Sequence, residues 1–570
     1  MKEGTQNILN KYSGWAKFWV IAFCLVLVNI ASHFYHGNVD LTEDKRFSLT
    51  SASKNMIEDL DDAIYVKILL DGQFPSGFKR LQSSTAEILR QFQNINGNIQ
   101  FEFEDPAEGT AEEIKKRRDD LAQGGIIPTS LKYFDGTQMI QKAIYPYAIV
   151  NLGSKKTIVN LLEEQTPGSD EDVILNNSIS LLEYKFANAF QKLLLKNIQT
   201  VLFTSGNGEL SKEYTFRLQR ELHTYYNTAH VNLDTIISIH KNVDLVIVAA
   251  PTTPVSLKNQ FKLDQYIMHG GKVLWLIEKL DASLDSIAKY KYYVPRDINN
   301  GLDDLLFKYG VRVQPDLIMD LECSQIPQIV GMSGDKPQTM LFPWYYHPAI
   351  ASKSNHPIVK NIDRVNMTFP SSIDTLKTSG KVTKQILLSS SNYSKLQFNP
   401  MRLNFEILKE EPNPAKFNDG NKSVAVLLEG YFESMFRNRV SEDMKSTLNQ
   451  LNMQFKEESD NTRMIVVSDV DFMKNLINPR TNETEEIGFN KWEQKFYKGN
   501  RDFIYNCIEY LLDEKGILTS RSKEIKLRLL DAVRVKEEKK KWQSINLLLP
   551  IILLLIGGLG YHYYRRKKYA

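Results

Sequence analysis

VDLVIVAAPTTPVSLKNQFKLDQYIMHGGKVLWLIE (Val243–Glu278) decides the fold. Val243–Pro251 holds an unbroken apolar run of strand length, followed by a turn and a helix that ends at the Gly270-Gly271 pair. A second apolar run, Lys272–Glu278, follows at once. Strand, helix, Gly-Gly and strand in this order is the rhythm of a doubly wound parallel sheet, whose strands are covered on both faces and therefore lack polar alternation. Working outward, Ile198–Thr204 reads as an earlier strand, leading through the loop Ser205–Leu210 into the helix Glu213–Tyr225. Ile386–Ser389, Val424–Glu429 and Met464–Ser468 read as further strands of the same sheet. Between them, about Asn300–Lys384 is rich in Pro and His and is expected to be a less regular insertion. Gly488–Ile517 closes with a helix carrying Phe503, Cys507, Tyr510 and Leu511 inward.

A smaller α/β unit precedes this one. Thr50 or Ser51 caps a short helix, Ile64–Leu70 is a buried strand, and Gly77–Asn94 is a helix with Leu81, Thr85, Ile88 and Phe92 on one face. Ile99–Asp105 alternates as a half-exposed strand, which makes a right-handed βαβ unit, and Tyr147–Leu162 is a hairpin turning near Gly153 and Ser154. The pattern is compatible with a thioredoxin-like domain, without the Cys-x-x-Cys that redox chemistry requires. A helix opening at Asn177 or Ser178 and ending near Lys196 joins the two units.

Both ends of the chain are apolar. Phe18–Val39 and Trp542–Tyr564 contain no Asp, Glu, Lys or Arg, and each is about the 20 residues a helix needs to cross hydrocarbon. Lys2, Lys11 and Lys17 before the first, and Arg565–Lys568 after the second, put both termini in the cytoplasm and the bulk of the chain outside. The basic cluster from Arg534 to Lys541 opposes that orientation. The expected organisation is therefore a cytoplasmic N-terminus (1–17), transmembrane helix 1 (18–39), a thioredoxin-like domain (40–172), and a Rossmann-type domain (173–520) with an insertion near 300–384. A charged stalk helix (521–541), transmembrane helix 2 (542–564) and a basic cytoplasmic tail (565–570) complete it, with the stalk running directly into the membrane helix.

Seventy-one basic and 68 acidic side chains give a net charge of +3, which leaves no nucleic-acid footprint. Three cysteines make no disulfide scaffold; Cys323 and Cys507 are the two outside the apolar ends. The best candidate site is the loop Ser205, Gly206, Asn207, Gly208 and Glu209, because ligands of open α/β sheets bind beyond the carboxyl ends of strands and glycines admit close approach. Its alternative is a tight turn that needs glycine and nothing else, and its spacing matches no dinucleotide or P-loop pattern. His347 and His356, each followed by proline, read as structural turns without companion ligands. Asp469 and Asp471 end a strand where carboxylates can bind metal, again without companions. No nucleophile elbow and no GxxxxGK[ST] loop occurs, so neither catalytic residues, nor a metal site, nor a cofactor is expected.

Asp40–Thr50 (DLTEDKRFSLT), Ser178–Leu193 (SISLLEYKFANAFQKL), Asn355–Asp363 (NHPIVKNID), Val426–Arg439 (VLLEGYFESMFRNR) and Asn500–Asp531 together resemble the GldG family, the gliding-motility-associated ABC transporter components of Bacteroidota. The resemblance implies a glutamine-amidotransferase-like fold for the Rossmann-type unit, but the nucleophilic cysteine of those enzymes is absent. It implies as partners an ABC permease subunit and a cytoplasmic ATPase subunit, with the bilayer and without nucleic acid, in a bacterial inner membrane with the bulk of the chain periplasmic. The expected function is thus a non-catalytic auxiliary subunit of a transporter linked to gliding. A membrane-tethered envelope hydrolase or transferase using Ser205–Glu209, or a purely structural envelope scaffold, are the alternatives.

Overall fold

The computed structural model of the chain describes residues 19–20, 22–27, 48–58, 60–135, 138–163, 171–195, 197–378, 381–450, 453–478, 480–522 and 532–569. The chain divides into two compact units, Met1–Lys523 and Glu524–Ala570.

The first unit contains two principal sheets. The smaller is built from β1 (Ile64–Ile68), β2 (Ile99–Phe103), β3 (Tyr147–Leu152) and β4 (Lys155–Asn160), in the order β2-β1-β3-β4. β1 and β2 are parallel, joined by α1 (Ser76–Ile95), while β3 runs antiparallel to β1 and β4 to β3. Alternation fixes the face: Ile64, Val66 and Ile68 are buried, and Tyr65 points out. α1 answers with Phe78, Leu81, Thr85, Leu89 and Phe92, spaced by three and four so that they form one stripe. β3 and β4 are joined by a two-residue turn in which Gly153 takes φ +57°, as expected for a tight hairpin.

The helix expected to open near Asn177 begins earlier and is broken. It comprises Glu171–Ser180 and then α2 (Leu182–Leu194), interrupted at Leu181. The hydroxyls of Ser178 and Ser180 donate to the carbonyls of Ile174 and Asn177 at 2.7 Å each, competing with the helix's own ladder just where it stops.

The larger sheet has seven strands: β5 (Thr200–Ser205), β6 (Asn227–Asn232), β7 (Leu245–Ala249), β8 (Lys272–Leu276), β9 (Val382–Ser389), β10 (Ser423–Gly430) and β11 (Thr462–Val467), in the order β9-β10-β11-β8-β7-β5-β6. Side-chain parity splits it between two cores. Leu245, Ile247, Leu274, Leu276, Ile465 and Val467 join the core that includes α4 (Lys498–Leu512). Val246, Val248, Val273, Trp275, Met464 and Val466 join the core that includes α3 (Leu257–Met268). Burial on both faces is why β7 and β8 read as continuous apolar runs.

Two expectations need correction, and one strand escapes the sequence pattern. The sheet is mixed rather than parallel: β10 runs antiparallel to both β11 and β9, a direction that a fully buried run does not encode. β6 is a strand, although NTAHVN is polar, because it pairs along one side only, at the sheet's edge beside β5. The insertion is strand-rich, with Cys323–Ser333 and Lys336–Ile350 forming a long antiparallel ribbon. Pro327, Pro337, Pro343 and Pro348 lie within it, tolerated because over most of its length the ribbon has free edges whose backbone needs no partner; only Ala349–Ile350 pairs with a third strand, Val365–Asn366.

α4 buries Phe503, Cys507 and Leu511, while Tyr510 is half-buried and donates its hydroxyl to Glu429 at 2.8 Å. All three cysteines are free thiols, so Cys323 and Cys507 do not pair.

The second unit contains α5 (Ala532–Tyr569), one continuous helix through Pro550. Its Glu538–Lys568 stretch, whose most apolar 18-residue window has a mean hydropathy of 2.0, is long and apolar enough to cross a membrane, alone in this among the described residues. The stalk does not begin at Arg521, which belongs to a 3₁₀ turn, Ile517–Ser522, in the first unit; residues 523–531 lie outside the described residues. Of the first apolar segment, 19–20 and 22–27 are helical and the remainder lies outside the described residues, as do 40–47 and 164–170.

Candidate functional site

Strand order reverses beside β5: the chain goes from β5 outward to β6, then returns to β7 on the other side. The loops after β5 and β7 therefore face each other at a topological switch point, where open α/β sheets place their ligands. Ser205–Glu209 is the first of these loops. Its polar groups are committed locally. The Asn207 amide donates to Glu209 Oε2 at 2.7 Å, and Asn207 Nδ2 donates to the Pro254 carbonyl at 3.1 Å. The Asn207 carbonyl accepts from the amides of Thr252 and Thr253 at 2.9 and 3.0 Å. Gly206 and Gly208 adopt φ +107° and +76°, and a side chain on Gly208 would meet Thr252 Oγ1 at 2.1 Å. Gly208→Ala is therefore expected to cost at least about 1–2 kcal/mol through the left-handed backbone, with a further loss because the Thr252 hydroxyl, which donates to the Gly208 carbonyl at 3.2 Å, must be displaced. A lowered thermal unfolding midpoint of the detergent-solubilised chain checks it, and an unchanged midpoint refutes it.

A different site, invisible in the sequence, lies within the first unit between the small sheet's side and α4. It is a cleft of about 370 Å³ lined by β4, α2, Tyr225, Tyr226, α4 and Arg521. Charged side chains dominate it. Glu163 holds Lys185 at 2.8 Å and Lys498 at 2.5 Å. Glu509 holds Lys192 at 2.8 Å and Asn188 at 3.2 Å, and accepts the Tyr184 hydroxyl. Lys192 also sits 4.1 Å above the Tyr225 ring, and Arg501 meets Glu221 at 3.3 Å. Burial alone would raise the Glu163 and Glu509 carboxyls; their lysines outweigh it and hold both below the ordinary carboxylate range. Depressed carboxylates stabilise the fold above their unfolded range, and that contribution is lost as pH falls through the native values. Burial pushes Asp502 up against the opposing pull of Arg521 and Lys498. Two of these pairs, Lys192 with Glu509 and Lys498 with Glu163, join residues more than 300 positions apart, so no local pattern announces them.

A third group gathers at the carboxyl ends of β8 and β11. Asp469 is fully buried; its oxygens accept the amides of Thr368 and Asp471 at 2.8 and 2.7 Å, and its carboxyl shares a hydrogen bond with Glu278. Glu278 also accepts the Val470 amide at 2.8 Å. Asp471 pairs with Lys474 at 2.8 Å. Burial and the neighbouring carboxylates push Asp469 up to about 7 and Glu278 well above its ordinary value. The strand-end carboxylates thus bind backbone amides and one another, and no group of three or more His, Cys, Asp or Glu suited to a metal occurs among the described residues. His347, packed edge-on to Phe369, and His356, packed against Tyr510, are held neutral by burial, down to about 3 and 4.

A sequence model of the family described as an ABC-type uncharacterized transport system matches residues 199–507, from the start of β5 into α4. A model of a domain of unknown function matches residues 43–151. A curated protein of Borreliella burgdorferi, described only as uncharacterized, is 21% identical over 449 residues, 76% of this chain and 80% of its own. Among solved structures, the mmIFT52 N-terminal domain is matched over 97% of its length by 55% of this chain, at 12% identity and a TM-score of 0.30. A thua-like protein from Bacteroides uniformis is matched over 92% by 56% of this chain, at 9% identity and a TM-score of 0.26.

Proposed function

The chain belongs to the ABC-type uncharacterized transport system family, and from that membership we propose that it is the non-catalytic, membrane-anchored auxiliary subunit of a gliding-associated ABC transporter. It works beside a permease subunit and takes its energy from a separate cytoplasmic ATPase, because its own sequence holds no phosphate-binding loop. The observation that carries this reading is the joint presence of the auxiliary-family region at 199–507 and the apolar helix Glu538–Lys568 on one chain. Flanking charge favours two spans in a bacterial inner membrane with the bulk of the chain periplasmic. The order β2-β1-β3-β4 of the small sheet supports a thioredoxin-like reading of the N-terminal part, and the switch point beside β5 supports a Rossmann-type, glutamine-amidotransferase-like reading of the larger.

Amidotransferase chemistry is not part of the proposal. Cys507, on α4, is enclosed in the core and its thiol is pushed well up by burial, and burial raises the Cys323 thiol to about 12, which leaves neither as a thiolate at neutral pH. Ligand binding at Ser205–Glu209 stays a proposal resting on its place at the switch point. The test is extraction in mild detergent from native membranes through a tag on this chain. A permease and an ATPase are expected to co-purify at fixed ratio; a chain that elutes alone under every mild detergent would overturn the assignment.

A further inference from the structure

We propose that the charged cleft between the small sheet and α4 binds a small anion, a molecule presenting a carboxylate or phosphate group, with Arg521 as its anchor. The proposal is independent of the transport reading. Five cationic and four anionic side chains line the cleft, so one positive charge is left over. The ion pairs of the cleft use Lys185, Lys192, Lys498 and Arg501. Arg521 makes none with the described residues: it is 9% exposed, and its Nε is buried without a hydrogen-bond partner among them. Asp502, the carboxylate that most influences it, forms no ion pair with it among the described residues and meets Lys498 only at 3.9 Å.

A guanidinium cannot shed its proton to escape such a site, and an unmet buried charged donor is more expensive than an ordinary unmade hydrogen bond. The Tyr184 ring, 5.6 Å from the guanidinium, fixes its place without using a single N–H. A planar fork held on an aromatic ring and facing a cavity is suited to bidentate recognition of a carboxylate or phosphate. The Tyr505 hydroxyl lines the same cleft, beside Glu221 but outside hydrogen-bonding geometry, and is a second unused donor. A volume of about 370 Å³ admits a small organic anion or one headgroup.

The test uses the full detergent-solubilised chain, titrated calorimetrically with inorganic phosphate and with succinate against chloride at equal ionic strength. Saturable binding of at least one probe is expected, weakened at least tenfold in Arg521→Gln and unchanged in the exposed Arg439→Gln. Should Arg521→Gln fail to fold, the wild-type chain still decides: the bound probe must slow phenylglyoxal modification of Arg521, read by mass spectrometry. Nanodiscs containing phosphatidylglycerol separate the sources. Competition with the soluble probe assigns the site to a lipid headgroup, and indifference relative to phosphatidylcholine discs assigns it to a free solute. No saturable binding above chloride, or binding that survives Arg521→Gln or leaves Arg521 unprotected, overturns the proposal.

Discussion

Replacing Asp264 with alanine is expected to destabilise the first unit by about 3–5 kcal/mol, among the largest single-residue losses the chain admits. Asp264 lies on the buried side of α3 and is fully enclosed. Its Oδ1 accepts the Tyr309 hydroxyl at 2.9 Å and the Met435 amide at 3.0 Å. Its Oδ2 accepts the Ser434 hydroxyl at 2.6 Å and Gln265 Nε2 at 3.0 Å. One carboxylate therefore ties α3 to the helix Asp303–Tyr309 and to the segment that follows β10. Truncation leaves Tyr309, Ser434 and the Met435 amide as buried donors, each worth about 1–3 kcal/mol when unmet and not strictly additive. Asparagine retains one acceptor oxygen, so Asp264→Asn should lose less than half as much. Chemical denaturation of the solubilised chain separates the two variants. A loss under about 1 kcal/mol for Asp264→Ala would mean that water or a repacked neighbour replaces the carboxylate.

Asp264 also shows why part of this architecture was legible and part was not. β7 and β8 were readable because burial on both faces writes an unbroken apolar run, and α1 because its stripe repeats every three or four residues. Direction is not written in such runs, which hid the antiparallel β10. The ribbon from Cys323 to Ile350 was masked by its prolines, which within strands are confined to free edges, first residues and bulges. At the candidate sites the limit was distance along the chain. The position of Ser205–Glu209 at the end of β5 followed from local pattern, whereas the Thr252–Pro254 turn that satisfies it did not. Glu163, Lys185, Lys498 and Glu509 each look like ordinary surface charges on their own elements. Only the tertiary fold, by burying their partners against them, converts those charges into a cleft.

The carboxyl pair at the ends of β8 and β11 yields the second large effect, of opposite sign. Glu278→Gln is expected to stabilise the first unit at pH 8 by about 1–3 kcal/mol and to change it little at pH 5. Both native carboxyls are raised above their unfolded values, Asp469 to about 7. A raised acid contributes stability that is complete below its unfolded value, near pH 4, and is lost as pH rises through its native value. Wild-type stability should therefore decline between roughly pH 5 and 8 as the folded chain is forced to ionise two like charges out of water. Displacing Asp469 from 3.8 to about 7 corresponds to roughly 4 kcal/mol at most. Asp471 and Lys474 remain beside it, which trims the recoverable share. Glutamine suits the site, because its oxygen keeps the bond from the Val470 amide and its amide can donate to Asp469. Alanine would instead remove both interactions and leave a void, so Glu278→Ala should not reproduce the gain. A Glu278→Gln variant that is less stable than wild type at pH 8, or whose stability falls as steeply between pH 5 and 8, would show that this pair carries no buried proton.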